Sequence, residues 1–176
     1  MRAQSLAQRI NPGSDPKLAA MTSELLREQF TECYVRECGL PFFRGECNGE
    51  YLLAAGGRGR RLHLRLEPSH SFADVVTIRL TPSRFDAVPE HSVLTAFVDK
   101  WNHQNHEVSA IIHVGDDSRH VGVSVRRSHW IPDTMRYDDF AFKIDHAIAA
   151  AFRFFDELAI LAETTGAETS PLRDAS

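Results

Sequence analysis

Histidine is the residue type in this chain whose placement offers the most chemistry. His103 and His106 stand three apart, just after the Trp101-Asn102 pair that closes a helical pattern. His113 and His120 flank Gly115-Asp116-Asp117-Ser118, and a tight turn there sets the two imidazoles opposite one another. Neutral imidazoles at such spacings can ligate Zn²⁺ or Ni²⁺, but the ion wants a third or fourth ligand. Asp116 and Asp117 are near in sequence, yet no Cys or carboxylate clearly completes the set. The plainer reading has His103 and His106 beside the last helical carbonyls, where cations are favoured, and His113 and His120 on the wet face of a sheet. Metal sensing is therefore the alternative reading, and no cofactor is expected.

Other candidates weigh less as chemistry. Gly56-Gly57-Arg58-Gly59-Arg60-Arg61 mixes Gly and Arg as a phosphate loop does, but it lacks the glycine spacing and Lys of one and opens no helix. It reads as a solvated hairpin turn. Arg126-Arg127-Ser128-His129-Trp130 puts a basic pair beside an aromatic, which suits a protein-binding rim; the plainer reading is a strand end whose Trp seals the sheet. No Ser-His-Asp order, thiol–His pair or paired carboxylates suggests a catalytic set. An enzyme would need an apolar cavity holding perturbed His or Glu side chains. The chain is expected to be no enzyme.

At 176 residues, length points to one domain with a core of its own. A formal charge of -4 gives no sign of a polyanion binder, so no nucleic acid is expected. Most basic residues are Arg, with Lys only at Lys17, Lys100 and Lys143. No apolar run is long enough for a signal peptide or a spanning helix, so a cytoplasmic protein away from the membrane is expected. Cys33, Cys38 and Cys47 lack metal-finger spacing and read as reduced, partly buried thiols.

The elements that position these residues follow from periodicity. Residues 1–14 end in Asn11-Pro12-Gly13-Ser14 and read as a mobile arm. Asp15-Pro16 starts a helix whose face carries Leu18, Met21, Leu25, Phe30, Cys33 and Tyr34, with Gly39 as the stop. From Phe42 to Leu80 the texture becomes a meander, with Asn48-Gly49 and Gly56 to Gly59 as turns and Leu62/Leu64/Leu66 and Val76/Ile78/Leu80 as half-buried strands.

Pro89 opens the next helix, and Leu94, Phe97, Val98 and Trp101 make its stripe, with Asn102 as the cap. In the hairpin that follows, Ile112 faces Val121, Ala110 faces Val123 and Val108 faces Val125 if Asp116-Asp117 centre the turn. The last helix buries Phe140, Ile144, Ala147, Ile148, Ala151, Phe155 and Leu158. Phe142, Phe152 and Phe154 lie off that stripe, and a helix covering one sheet face should not need them. A subunit or partner interface, joined by Trp130 and Arg126, would explain the excess. The domain is expected to span 15–163, with 164–176 a mobile tail.

This order of elements resembles the YbjN family, bacterial proteins regarded as sensory transduction regulators, whose fold is similar to type III secretion chaperones. The residues carrying the resemblance are Phe97-Val98-Asp99-Lys100-Trp101-Asn102, Val108 to Val114, Gly115-Asp116-Asp117, Val121 to Val125 and Phe152 to Leu158. The chain departs from the pattern at His103-Gln104-Asn105-His106. The resemblance implies an α+β fold, an antiparallel sheet of about five strands with helices packed on it in the order α-β-β-β-α-β-β-α. It also implies a homodimer that binds a protein partner, and it carries over no catalytic residue.

Overall fold

The computed structural model describes residues 23–46, 50–57, 60–69, 71–72, 74–83, 90–114 and 121–168. Among these residues six strands and three helices follow in the order α1 (Ser23–Glu37), β1 (Phe42–Arg44), β2 (Tyr51–Gly57), β3 (Arg60–Pro68), β4 (Val75–Pro82), α2 (His91–Gln104), β5 (Ser109–Val114), β6 (Val121–Trp130) and α3 (Tyr137–Glu168). The strands form one antiparallel sheet ordered β1-β2-β3-β4-β6-β5. The α+β architecture is as expected, with one strand more. β1 is three residues long, too short for alternation to announce it.

Alternation decides which face of the sheet is dry. Leu53, Leu62, Leu64, Leu66, Val76, Ile78, Leu80, Val123 and Val125 are all buried under the helices. α3 lies across β4 and β6 and is flanked by the other two helices. Phe30 of α1 meets Tyr137 and Phe140 at ring distances of 5.6 and 5.5 Å. From α2, Phe97 and Trp101 reach Phe154 at 5.5 and 5.2 Å. Two polar ties reinforce the α1–α3 seam: Tyr34 Oη donates to Asp145 at 2.6 Å, and Tyr137 Oη donates to Glu37 at 2.6 Å. Burial and the bond to Asp145 hold the Tyr34 phenol above its ordinary range.

This seating corrects the expectation for two aromatics. Phe154 and Phe152 are buried inside the chain, so neither offers a surface to a partner. α3 is apolar on several sides because it touches sheet, α1 and α2 at once. It also runs on to Glu168, five residues into the segment expected to be tail, with the Thr164 and Thr165 hydroxyls bonded back to Ile160 and Leu161.

Further boundaries shift for local reasons. In α1 the buried side is Leu26, Arg27, Thr31, Tyr34 and Val35, while Leu25 and Cys33 are exposed. The spacing of four in Leu26-Phe30-Tyr34-Cys38 sets that side, and the expected face was rotated from it. Gly39 does end the helix, at φ +61°, a left-handed conformation that costs glycine nothing. The proposed helix start at Asp15-Pro16, Leu18 and Met21, the arm 1–14, the Asn48-Gly49 turn and Pro89 lie outside the described residues, as does Cys47.

Asn102 is not the cap of α2. The helix continues to Gln104, and Asn105 caps it, its backbone N–H and side-chain Nδ2 both donating to Trp101 O. Asn102 instead clamps the edge of the sheet. Its Nδ2 donates to Ala110 O at 2.9 Å, and its Oδ1 accepts from Ala110 N at 2.8 Å. One side chain thus satisfies both backbone groups that Ala110 would otherwise offer to another strand.

Candidate protein interface

The hairpin register determines what faces solvent around the expected site. Ala110 pairs with Val125, Ile112 with Val123 and Val114 with Val121. That is two residues away from the expected pairing. An even slip keeps the apolar residues on the same face, which is why the alternation did not expose it. His113 therefore lies opposite Gly122, not His120, and bonds to the Ser124 hydroxyl across the ladder. The proposed cross-strand histidine pair is overturned. His120 itself, with the Gly115-Asp116-Asp117-Ser118 turn, lies outside the described residues.

His103 and His106 are exposed at the end of α2, and the helix end is closed by Asn105. Among the described residues no three His, Cys, Asp or Glu side chains come together to hold a metal ion. Cys38, half-buried just past the end of α1, has its thiol pushed up by burial, which disfavours the nucleophilic thiolate.

All three described helices pack on one side of the sheet, and none covers the other. The uncovered face is read from the register. A transverse row runs Phe43, Leu52, Arg65, Arg79, Arg126 and Ser109. Beside it lies Glu67, Thr77 and Ser128, with Thr77 and Ser128 hydroxyls 2.9 Å apart. Trp130 pairs with Val75 at the far end of β6 and donates from its indole N–H to Asp74.

Three arginines therefore occupy directly opposed positions on adjacent strands, about 4.8 Å apart in the pairing direction. Like charges in that arrangement repel. Carboxylates offset part of this: Glu67 stands 3.2 Å from Arg65 and 3.4 Å from Arg79, and the buried Glu50 pairs with Arg65. Gly45 makes room for that pairing, since a Cβ there would run into the Glu50 carboxyl. Arg126 is the exception. It is exposed and has no ion pair among the described residues. Exposed apolar groups flank this cationic centre at two places: Phe43 at 72% and Leu52 at 38% continue the row beyond Arg65, and Trp130 at 63% stands beyond Ser128 on β6.

Of the residues expected at an interface, Arg126 and Trp130 thus lie together on the uncovered sheet face. Phe142, 68% exposed, lies on the opposite side of the molecule, on α3. Sequence reasoning missed Arg65, Arg79, Phe43 and Leu52 as members of one surface. Their rows are set by four strand registers, and only the hairpin turns could have indicated those. No described helix is long and apolar enough to cross a membrane.

The fold is similar to that of a protein of known structure. The crystal structure of YbjN from E. coli, a candidate transcription regulator by its description, superposes with a TM-score of 0.51 at 14% sequence identity. The match covers 76% of this chain and 88% of that one. At this identity the likeness establishes the fold. No family model matches the sequence, and no curated protein matches it.

Proposed function

We propose that this chain is a non-enzymatic regulatory adaptor of the cytoplasm that binds a protein partner on the uncovered face of its sheet and works as a homodimer. The observation that carries the reading is the arginine row, Arg65-Arg79-Arg126, exposed beside Leu52, Phe43 and Trp130 on a face that no described helix covers. Such a face fits a partner segment that brings carboxylates to the centre and apolar side chains to the rim. Strand addition at the edges is a poorer route. β1 is short, and Asn102 occupies the backbone groups of Ala110 on β5. The fold shared with a candidate regulator agrees with this reading.

The second copy of a homodimer would avoid the cationic centre, because a two-fold axis through it sets arginine against arginine. Of the expected contacts, the surface of α3 around Phe142 is then the one left for it. Light scattering at micromolar concentration tests the dimer: the expected mass is twice the 19.8 kDa of the chain, halved by Phe142→Asp. A strict monomer removes this part of the reading. For the partner, affinity capture from the native host with wild type and with Arg126→Glu should differ in a defined protein; identical captures would contradict the assigned face.

A further inference from the structure

The helix-covered side of the molecule carries a second concavity, away from the arginine face, with Phe142 of the proposed dimer contact among its walls. Along β6 the dry face continues from Val123 and Val125 to Arg127 and His129. The strand there stays beside the buried Ile78 and Val76 of β4 and ends near the first turns of α3. Arg127, His129, Pro132, Met135, Asp139, Phe142, Lys143, His146 and the His106-Glu107 loop enclose a cleft of about 600 Å³. That volume is in the range of small-molecule sites.

The polar groups of the cleft are unequal. Arg127 donates through one terminal nitrogen to His106 O, but its Nε is buried and has no partner among the described residues. His129 Nε2 is likewise buried and unpartnered. These two residues are alternate positions on one strand face, so their side chains rise side by side. Lys143 adds a third nitrogen and acts on the His129 imidazole electrostatically, as do Arg127 and His146. The acidic residues do not cancel this set. Glu107 is bonded to Arg153 and lies 3.4 Å from His146. Asp139 is exposed in the first turn of α3. The remaining walls are apolar: Pro132, Met135, Ala147, and Phe142 stacked on His146 at 5.8 Å.

We propose that this cleft binds a small amphiphilic organic acid, with its carboxylate on Arg127, His129 and Lys143 and its apolar body against Met135, Pro132 and Phe142. Buried polar nitrogens without partners are rare in folded proteins, and a carboxylate accepts at once from Arg127 Nε–H and from His129 in its Nε2–H tautomer. The apolar walls give the rest of such a ligand a dry seat that inorganic phosphate cannot exploit. Binding is proposed here and not turnover. The inference goes beyond the adaptor reading and stands without it.

Titration calorimetry and ¹H–¹⁵N spectra of the full chain with phenylacetate, phenylacetamide and inorganic phosphate test it. Phenylacetate should bind saturably and shift resonances of Arg127, His129 and Lys143. The neutral amide should bind at least about ten-fold more weakly, since a charged hydrogen-bonded group is worth about that factor, and phosphate likewise, since it forgoes the burial of an aromatic ring, worth about 1.5–3 kcal/mol. Arg127→Gln should weaken phenylacetate by about ten-fold or more. Arg126→Gln, one residue away on the opposite sheet face, should leave it unchanged. Should Arg127→Gln fail to fold, Lys143→Gln on the helix surface gives the same comparison. Equal binding of acid and amide, binding of phosphate as strong as phenylacetate, or no saturable binding of phenylacetate would each overturn the proposal.

Discussion

Phe154 shows how a single side chain changes meaning once its neighbours are known. It is fully buried against Phe97, Trp101 and Phe155. Phe154→Ala should therefore cost about 3–5 kcal/mol in urea unfolding. Ile160→Ala, on the exposed side of the same helix, should stay within about 0.5 kcal/mol. Equal effects would refute the division of α3 into core and surface.

His129 gives a pH signature at the same scale. Burial, then the charges of Lys143, Arg127 and His146, depress its pKa from 6.5 to about 4. Between those values the unfolded chain binds a proton that the folded chain refuses, so this residue makes stability fall as pH drops from 6.5 to about 4. Above 6.5 it contributes no slope. His129→Gln should flatten the fall in urea midpoint between pH 6.5 and 4.5, and an unaltered slope would assign it to other groups. Residue types alone could have located His129: alternation from Val123 and Val125 reaches Arg127 and His129 on the dry face, and polar groups there signal a cavity. The metal candidates drew attention away from that continuation.

Among the elements, the hairpin β5–β6 and helix α3 mark the limit of what periodicity carries. Alternation placed Ala110, Ile112, Val123 and Val125 on the correct face, but it is blind to a slip of two, and that slip separated His113 from its supposed partner. Helical periodicity found the stripe of α3, but it could not say that two other helices would cover its flanks. An excess of Phe therefore read as an interface when it was core. Asn102 was recognised as a helix-end residue, while its actual role depends on a strand eight residues later.

The clamp makes a prediction that belongs to this level. Asn102→Ala removes both bonds to Ala110 and should cost about 1–3 kcal/mol. It should also speed hydrogen exchange at the Ala110 amide selectively over strands β3 and β4. Unchanged protection at Ala110 would show that the edge does not depend on Asn102.

For the whole molecule, the architecture divides labour between two faces. The helices bury one side of the sheet and form the ligand-sized cleft where the end of β6 meets the first turns of α3. The other side presents arginines in register, with apolar groups at the rim. The α+β class and the YbjN-like fold were legible in element order. The arginine row was not, because Arg65, Arg79 and Arg126 come from three strands whose registers no short motif encodes. The central claim is that this uncovered face holds a protein partner. Its most direct test places a photo-reactive amino acid at Ser128, between Arg126 and Trp130 on that face, and in a second variant at Arg153 on the helix side. Irradiation in the native host should give a discrete protein adduct from position 128 that Arg126→Glu abolishes, and none from position 153 other than with a second copy of the chain. No adduct at 128, or one indifferent to Arg126→Glu, would contradict the account.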